Sequence, residues 1–195
     1  MRNLLRATVM VVALGYSGPV MAGVWEDITA AYTRDDYATA LRLLRPLAEQ
    51  GNAAAQFNLG HMYANGRGVP NDDVQAVKWF RLAAEQGYAD AQVILGLMYA
   101  YGRGVPKDDV QAVKWYRLAA EKGYAQAQAI LGFMYANGRG VPKDYVLAYM
   151  WANLGAAGGH EDAREIREEY AAKMTPTQIA EAQKLSREWK PTPAQ

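Results

Sequence analysis

The sequence predicts an all-α protein, an α/α solenoid of stacked antiparallel helix pairs. Three observations carry that reading. The stretch from Gly51 to Gln86 recurs from Gly87 to Lys122 with 27 of 36 positions identical, and again more loosely from Gly123 to Gly158. A fixed period of roughly 20–50 residues marks a chain whose units bury their apolar faces by stacking on neighbours. Within each unit two helix-length stretches flank a loop rich in glycine and proline. Helices of about 12 residues are too short to stand alone in water, so they must pack.

The N-terminus is set aside before the fold is considered. Arg2 and Arg6 make a positive n-region, Ala7 to Gly15 an apolar h-region, and Val20-Met21-Ala22 a small-residue cleavage site. The apolar run is too short to span a bilayer. Residues 1–22 therefore read as a signal peptide cut after Ala22, and the product is expected in the periplasm or secreted, with no stable membrane insertion. The remaining chain carries 19 Lys and Arg against 20 Asp and Glu. It has no basic surplus to recruit nucleic acid. The absence of cysteine removes disulfides, thiolate nucleophiles and thiolate metal sites.

Residues 23–50 read as a degenerate first repeat acting as a cap. Val24 to Tyr32 is a short helix with Trp25, Ile28 and Tyr32 on one face, and Arg34-Asp35-Asp36 is a turn. Tyr37 to Gln50 is a second helix, in which Ala40, Leu43, Leu44 and Leu47 occupy the places later held by Ala76, Trp79, Phe80 and Ala83. Pro46 is expected to kink it, because proline lacks an N–H and clashes with the preceding turn.

The full repeats occupy 51–86, 87–122 and 123–158. The first helix of each, here helix A, covers about Ala53 to Ala64, Ala89 to Ala100 and Ala125 to Ala136. Gly66 and Gly68 suit positive φ where helix A ends, and Pro70 bars its continuation. Asp72 is placed to cap helix B, about Asp73 to Glu85, with Gln75 three residues on as in a capping box. Small residues such as Ala55, Gly60, Ala76 and Ala83 face large ones such as Leu59, Met62 and Leu82, which favours close packing. Trp79, Trp115 and Trp151 keep the register and are expected to form one buried ladder.

The third repeat changes character after Asp144. Lys114, Arg117 and Glu121 give way to Met150, Asn153 and Ala157, so the outer face of its helix B becomes apolar and needs a cover. Residues 159–195 supply it as capping helices. Glu161 to Lys173 reads as a charged helix. Thr175-Pro176-Thr177-Gln178 is a strong helix start, followed by Ile179, Ala182, Leu185 and Trp189 on one face.

The pattern A-x-A-Q-x-x-L-G-x-M-Y-x-x-G-x-G-V-P-x-D, then A-x-x-W-x-x-x-A-A-x-x-G, resembles the Sel1-like repeat family, which is related to the tetratricopeptide repeat. Residues 51–158 carry it in full and 24–50 and 159–190 in fragments. The resemblance implies a right-handed superhelix that mediates protein–protein interaction and, in bacteria, is often exported. Some cysteine-rich members of the family are described as binding or hydrolysing penicillins. Nothing of that transfers to a chain without cysteine.

No catalytic constellation is apparent. Ser186 is the single serine after Ala22, with no Gly-x-Ser-x-Gly or Ser-x-x-Lys around it. His61 and His160 lie in different repeats, without ligand-spaced partners, so no metal or other cofactor is expected. His61 replaces Leu97 and Phe133 in register and is expected on the surface. A hydrolase is the remote alternative. Arg67, Arg103 and Arg139 recur in one loop, either satisfying carbonyls at the end of helix A or forming a ladder for an anionic ligand.

Variation between the repeats points to recognition. Ala54, Asn58, His61 and Asn65 share one arc of helix A, and each of these positions varies among the three repeats. The stripe continues as Asp90, Ile94, Leu97 and Tyr101, then Gln126, Ile130, Phe133 and Asn137. Position 57 also varies. Unchanged positions are what stacking requires, so this stripe is expected to line a concave groove for an unidentified protein or peptide. Packing between adjacent A helices is the competing explanation for Ile94 and Leu97. A second hypothesis is binding of cell-wall glycan, with Tyr88, Tyr101 and Tyr124 as stacking platforms.

Overall fold

The computed structural model describes residues 19–192. The sequence expectations for residues 1–18, which hold most of the signal peptide, lie outside that range. The described residues form ten α-helices and no strand: α1 (Pro19–Thr33), α2 (Tyr37–Glu49), α3 (Ala53–Asn65), α4 (Asp73–Glu85), α5 (Ala89–Tyr101), α6 (Asp109–Glu121), α7 (Ala125–Asn137), α8 (Tyr145–Ala157), α9 (Ala163–Ala171) and α10 (Pro176–Glu188). They make an α/α solenoid divided into two compact units, one ending at Tyr88 and the other starting at Ala89.

In the N-terminal unit α2 packs on α1 and α3, and α3 pairs with α4. Its core holds Trp25, Ile28, Leu44, Leu59 and Met62. Helix α2 runs unbroken through Pro46 for three more residues. The proline lies in the last turn, where few backbone bonds remain to be lost. In the C-terminal unit α5 pairs with α6 and α7 with α8.

Two devices recur. First, each helix-A glutamine is buried. Gln56 donates to the Ala48 carbonyl at 3.1 Å and Gln128 to the Ala120 carbonyl at 3.1 Å, the last turn of the preceding helix in both cases. A buried amide has to find such a partner, so these bonds fix how α3 follows α2 and how α7 follows α6. Second, helix-A glycines receive an aromatic ring. A Cβ on Gly60 would lie 2.8 Å from the Phe80 ring, and one on Gly96 would lie 2.6 Å from the Tyr116 ring.

That second device corrects the expected tryptophan ladder. Trp79 and Trp115 are only half-buried, whereas Phe80 and Tyr116, the next residues along, are sealed in the core. A step of about 100° round the helix carries the tryptophan to the edge of the seam. Of these three, Trp151 alone is buried, against Trp189 with ring centroids 6.2 Å apart. In α8 the ring position is Ala152, so α7 and α8 meet through backbone. A Cβ on Gly132 would lie 2.9 Å from the Ala148 oxygen.

The loops end helix A as the glycines require. Gly66 and Gly138 are left-handed at φ 65°. The Arg67 and Arg139 amides donate to the Met62 and Met134 carbonyls at 2.9 and 3.0 Å. Asp72, Asp108 and Asp144 then cap α4, α6 and α8 through their carboxylates. At the C-terminal end, Thr175 and Gln178 form a reciprocal capping box that starts α10. Helices α9 and α10 both pack on α8, covering the apolar face that the third repeat exposes.

Candidate functional site

The varied stripe of helix A does not have one environment. In α3 it is core: Ala54 is 5% exposed, Asn58 0% and His61 7%. Asn58 donates its amide to the Ala54 carbonyl at 2.8 Å, while its oxygen is buried without a partner. His61 stands edge-on to Phe57 and Phe80, with centroids 4.6 and 5.0 Å away. It is therefore not the surface histidine that its changing register suggests. Burial, with a smaller contribution from the charge on Arg67, lowers its pKa from 6.5 to about 4, so the imidazole is neutral at pH 7. Only Asn65, at the end of α3, is exposed.

In the C-terminal unit the stripe opens. Asp90, Ile94, Leu97 and Ile130 are half-buried, and Gln126 and Asn137 are exposed. Tyr101 and Phe133 stand out at 61% and 44% exposed. Leu97 and Ile130 pack against one core cluster, which ties α5 to α7. Asp90 accepts a hydrogen bond from the Tyr124 hydroxyl, joining the starts of the same two helices. Of the three tyrosines considered as glycan platforms, Tyr124 is thus engaged through its hydroxyl and Tyr88 leans on Phe57 at 4.9 Å. Tyr101 alone presents most of its ring to solvent.

Arg67 and Arg139 contact the preceding helix B rather than the carbonyls of helix A. The helix-A carbonyls are already taken by backbone amides. Instead Arg139 reaches back thirty residues and grips Asp109 at the start of α6 through two bonds, 2.7 and 3.3 Å long. Arg67 lies over the Tyr37 ring, 5.3 Å from its centroid. Tyr37 is the register equivalent of Asp109, so both contacts join a loop to the first residue of the preceding helix B. In the third repeat that place is Tyr145, and Lys143 and Lys173 lie 4.9 and 5.7 Å from its ring. A pairing across thirty residues has no local signature, although Asp73 and Asp109 recurring with Arg103 and Arg139 was the available clue. A double-mutant cycle on Arg139→Ala and Asp109→Ala is expected to give a coupling of about 1 kcal/mol, as a bidentate, half-exposed pair should. A coupling indistinguishable from zero would reduce it to an incidental surface contact.

The residues with chemical potential stay apart. Ser186 donates its hydroxyl to the Ala182 carbonyl at 2.9 Å and is 8% exposed. Among the described residues no group of three or more His, Cys, Asp or Glu is placed to hold a metal ion, and no helix is long and apolar enough to cross a membrane.

Comparison with known proteins agrees with the geometry. The Sel1 repeat family model matches residues 31–52, 53–88, 89–124 and 125–160, each full repeat beginning at the first residue of a helix A. The crystal structure of a Sel1 repeat protein from Oxalobacter formigenes is 44% identical over 66% of this chain and 97% of its own, with a TM-score of 0.62. That of c5321, a protective antigen present in uropathogenic Escherichia coli strains and displaying an SLR fold, is 32% identical over 77% of this chain, with a TM-score of 0.59. The chain spans 40% of that antigen's length. No curated protein matches. With four repeats covering well over half its length, the chain belongs to the Sel1 repeat family.

Proposed function

We propose that this chain is a non-catalytic scaffold that captures a protein or peptide on the helix-A face of its C-terminal unit, in the periplasm or outside the cell. Sel1 repeats commonly mediate protein–protein interaction, and scaffolds of this family are generally non-catalytic. The observation that carries the finer reading is the exposure of Tyr101 and Phe133 at positions that stacking does not dictate. Large rings left open to water, beside the half-buried Ile94, Leu97 and Ile130, have the composition of an interface core. Gln126 and Asn137 supply the polar rim.

Exposure also makes the test clean, because both rings lie outside the buried core clusters. The double variant Tyr101→Asp, Phe133→Asp is expected to keep the far-ultraviolet circular dichroism of the parent while losing cross-linked partner from a periplasmic extract. Loss of helical signal, or undiminished cross-linking, would overturn the assignment. The location rests on the charged and apolar N-terminal pattern before Gly23. N-terminal sequencing of the osmotic-shock fraction should begin at Gly23, and a chain still beginning at Met1 would overturn it.

A further inference from the structure

Another surface, formed by none of the helix-A residues above, opens along α6. Val110, Lys114, Arg117, Leu118 and Glu121 share one side of that helix, and Val141 in the loop before α8 lines the facing wall. The groove encloses about 410 Å³, enough for a few side chains. Val110 and Leu118 are 51% and 43% exposed, and Lys114 between them is exposed as well. Val141 packs against the core cluster of this unit, whereas the α6 side chains Val110, Lys114 and Leu118 lie outside it.

One repeat further on, the chain shows what happens when it covers this face itself. There Lys114 is replaced by Met150 and Arg117 by Asn153, and α10 lies alongside. The Ser186 hydroxyl reaches the Met150 carbonyl at 3.5 Å, the Gln183 amide reaches the Tyr149 hydroxyl at 3.4 Å, and Met150 is left 7% exposed. A face covered by the chain is apolar. On α6 the same face keeps two cations among aliphatic side chains, against the single carboxylate of Glu121. Such a surface complements a segment carrying both carboxylates and an aliphatic side chain.

We propose that the α6 groove docks an acidic segment of a partner protein. A leucine-sized side chain would sit between Val110, Leu118 and Val141, with carboxylates against Lys114 and Arg117. The Arg117 guanidinium is already steered by the Tyr135 hydroxyl at 2.6 Å, so little ordering is left for binding to impose. A second copy of this chain fits less well. Its exposed acidic helix, α9, carries Glu168 and Glu169 with side chains 69% and 63% exposed, but its Ile166 is half-buried.

The probe is a fluorescein-labelled peptide of about ten residues built from glutamate and leucine, with a lysine–leucine peptide of the same length as control. Each is titrated with the full chain and followed by anisotropy. Saturable binding of the acidic peptide alone is expected, weakened about 10-fold by Lys114→Glu and by Leu118→Asp, and unchanged by Tyr101→Asp. Both groove substitutions fall on exposed side chains, so helical content should stay that of the parent. Equal binding of the two peptides, or binding undiminished in both groove variants, would overturn the proposal. So would a loss in Tyr101→Asp of the same size, which would assign the peptide to the helix-A face. A dimer in light scattering that Leu118→Asp dissolves would overturn it too, by making a second copy the occupant.

Discussion

Gly140→Ala is expected to destabilise the protein by about 3 kcal/mol, read as a lower urea midpoint at unchanged slope. Two costs coincide at this residue. Its φ of 68° is one that side-chain-bearing residues rarely adopt. An added Cβ would also lie 2.2 Å from the Asp109 carbonyl oxygen and 2.4 Å from its carbon. Those are backbone atoms at the start of a helix, and they cannot step aside as the end of a side chain can. Gly138 in the same loop separates the two costs. Its φ is 65°, but the nearest atoms to its Cβ would be those of Lys143, the Cβ at 3.3 Å and the backbone nitrogen at an ordinary 3.5 Å. Alanine there should cost about 1 kcal/mol, from backbone strain alone. Equal losses at the two positions would show that the close approach to Asp109 contributes nothing.

Acid is expected to destabilise the N-terminal unit through His61. With the pKa lowered from 6.5 to about 4 in the folded chain, the unfolded chain binds a proton between those values and the folded chain does not. Stability from this group is therefore complete above about pH 6.5 and falls as the pH drops towards 4. The loss should be about 2 kcal/mol between pH 7 and pH 5, within a limit of about 3 kcal/mol set by the full shift. His61→Leu places at this position the residue that α5 carries in register, and removes the titrating group. Urea midpoints of parent and variant at pH 7 and pH 5 check the prediction, since the variant should lose markedly less on acidification. A parallel fall in both would assign the acid sensitivity to other groups.

Much of the fold was legible because its boundaries are written in local chemistry. Asp72 and Gly87 bracket α4 at the limits read from the sequence, and Thr175-Pro176 starts α10 where its cap requires. The candidate surface was less legible, because variation between repeats does not report exposure. Position 57 shows the flaw: Phe57, Val93 and Ala129 differ in size, yet all are buried, at 8, 2 and 4%. The neighbouring stripe residue compensates. Where position 57 is a phenylalanine, His61 is enclosed against it. Where the equivalent is Ala129, Phe133 is left 44% exposed. A single position's pattern cannot reveal such an exchange of volume, because burial belongs to the pair. The tryptophans misled in the opposite way. Invariance in register does not report burial either, since the ring that fills the core belongs to the next residue along.

The seats of the Gly68 and Gly140 loops also give each unit a direction of growth. In both units a loop glycine rests on the opening of the helix B before it, Gly68 on the Tyr37 carbonyl and Gly140 on that of Asp109. Every such footing lies upstream in the chain. A polypeptide emerging amino end first therefore meets these two loops with their footing already laid, and loss of material from the carboxyl end leaves Gly68 its seat. Loss of α2 from the other end would strand the first loop at once.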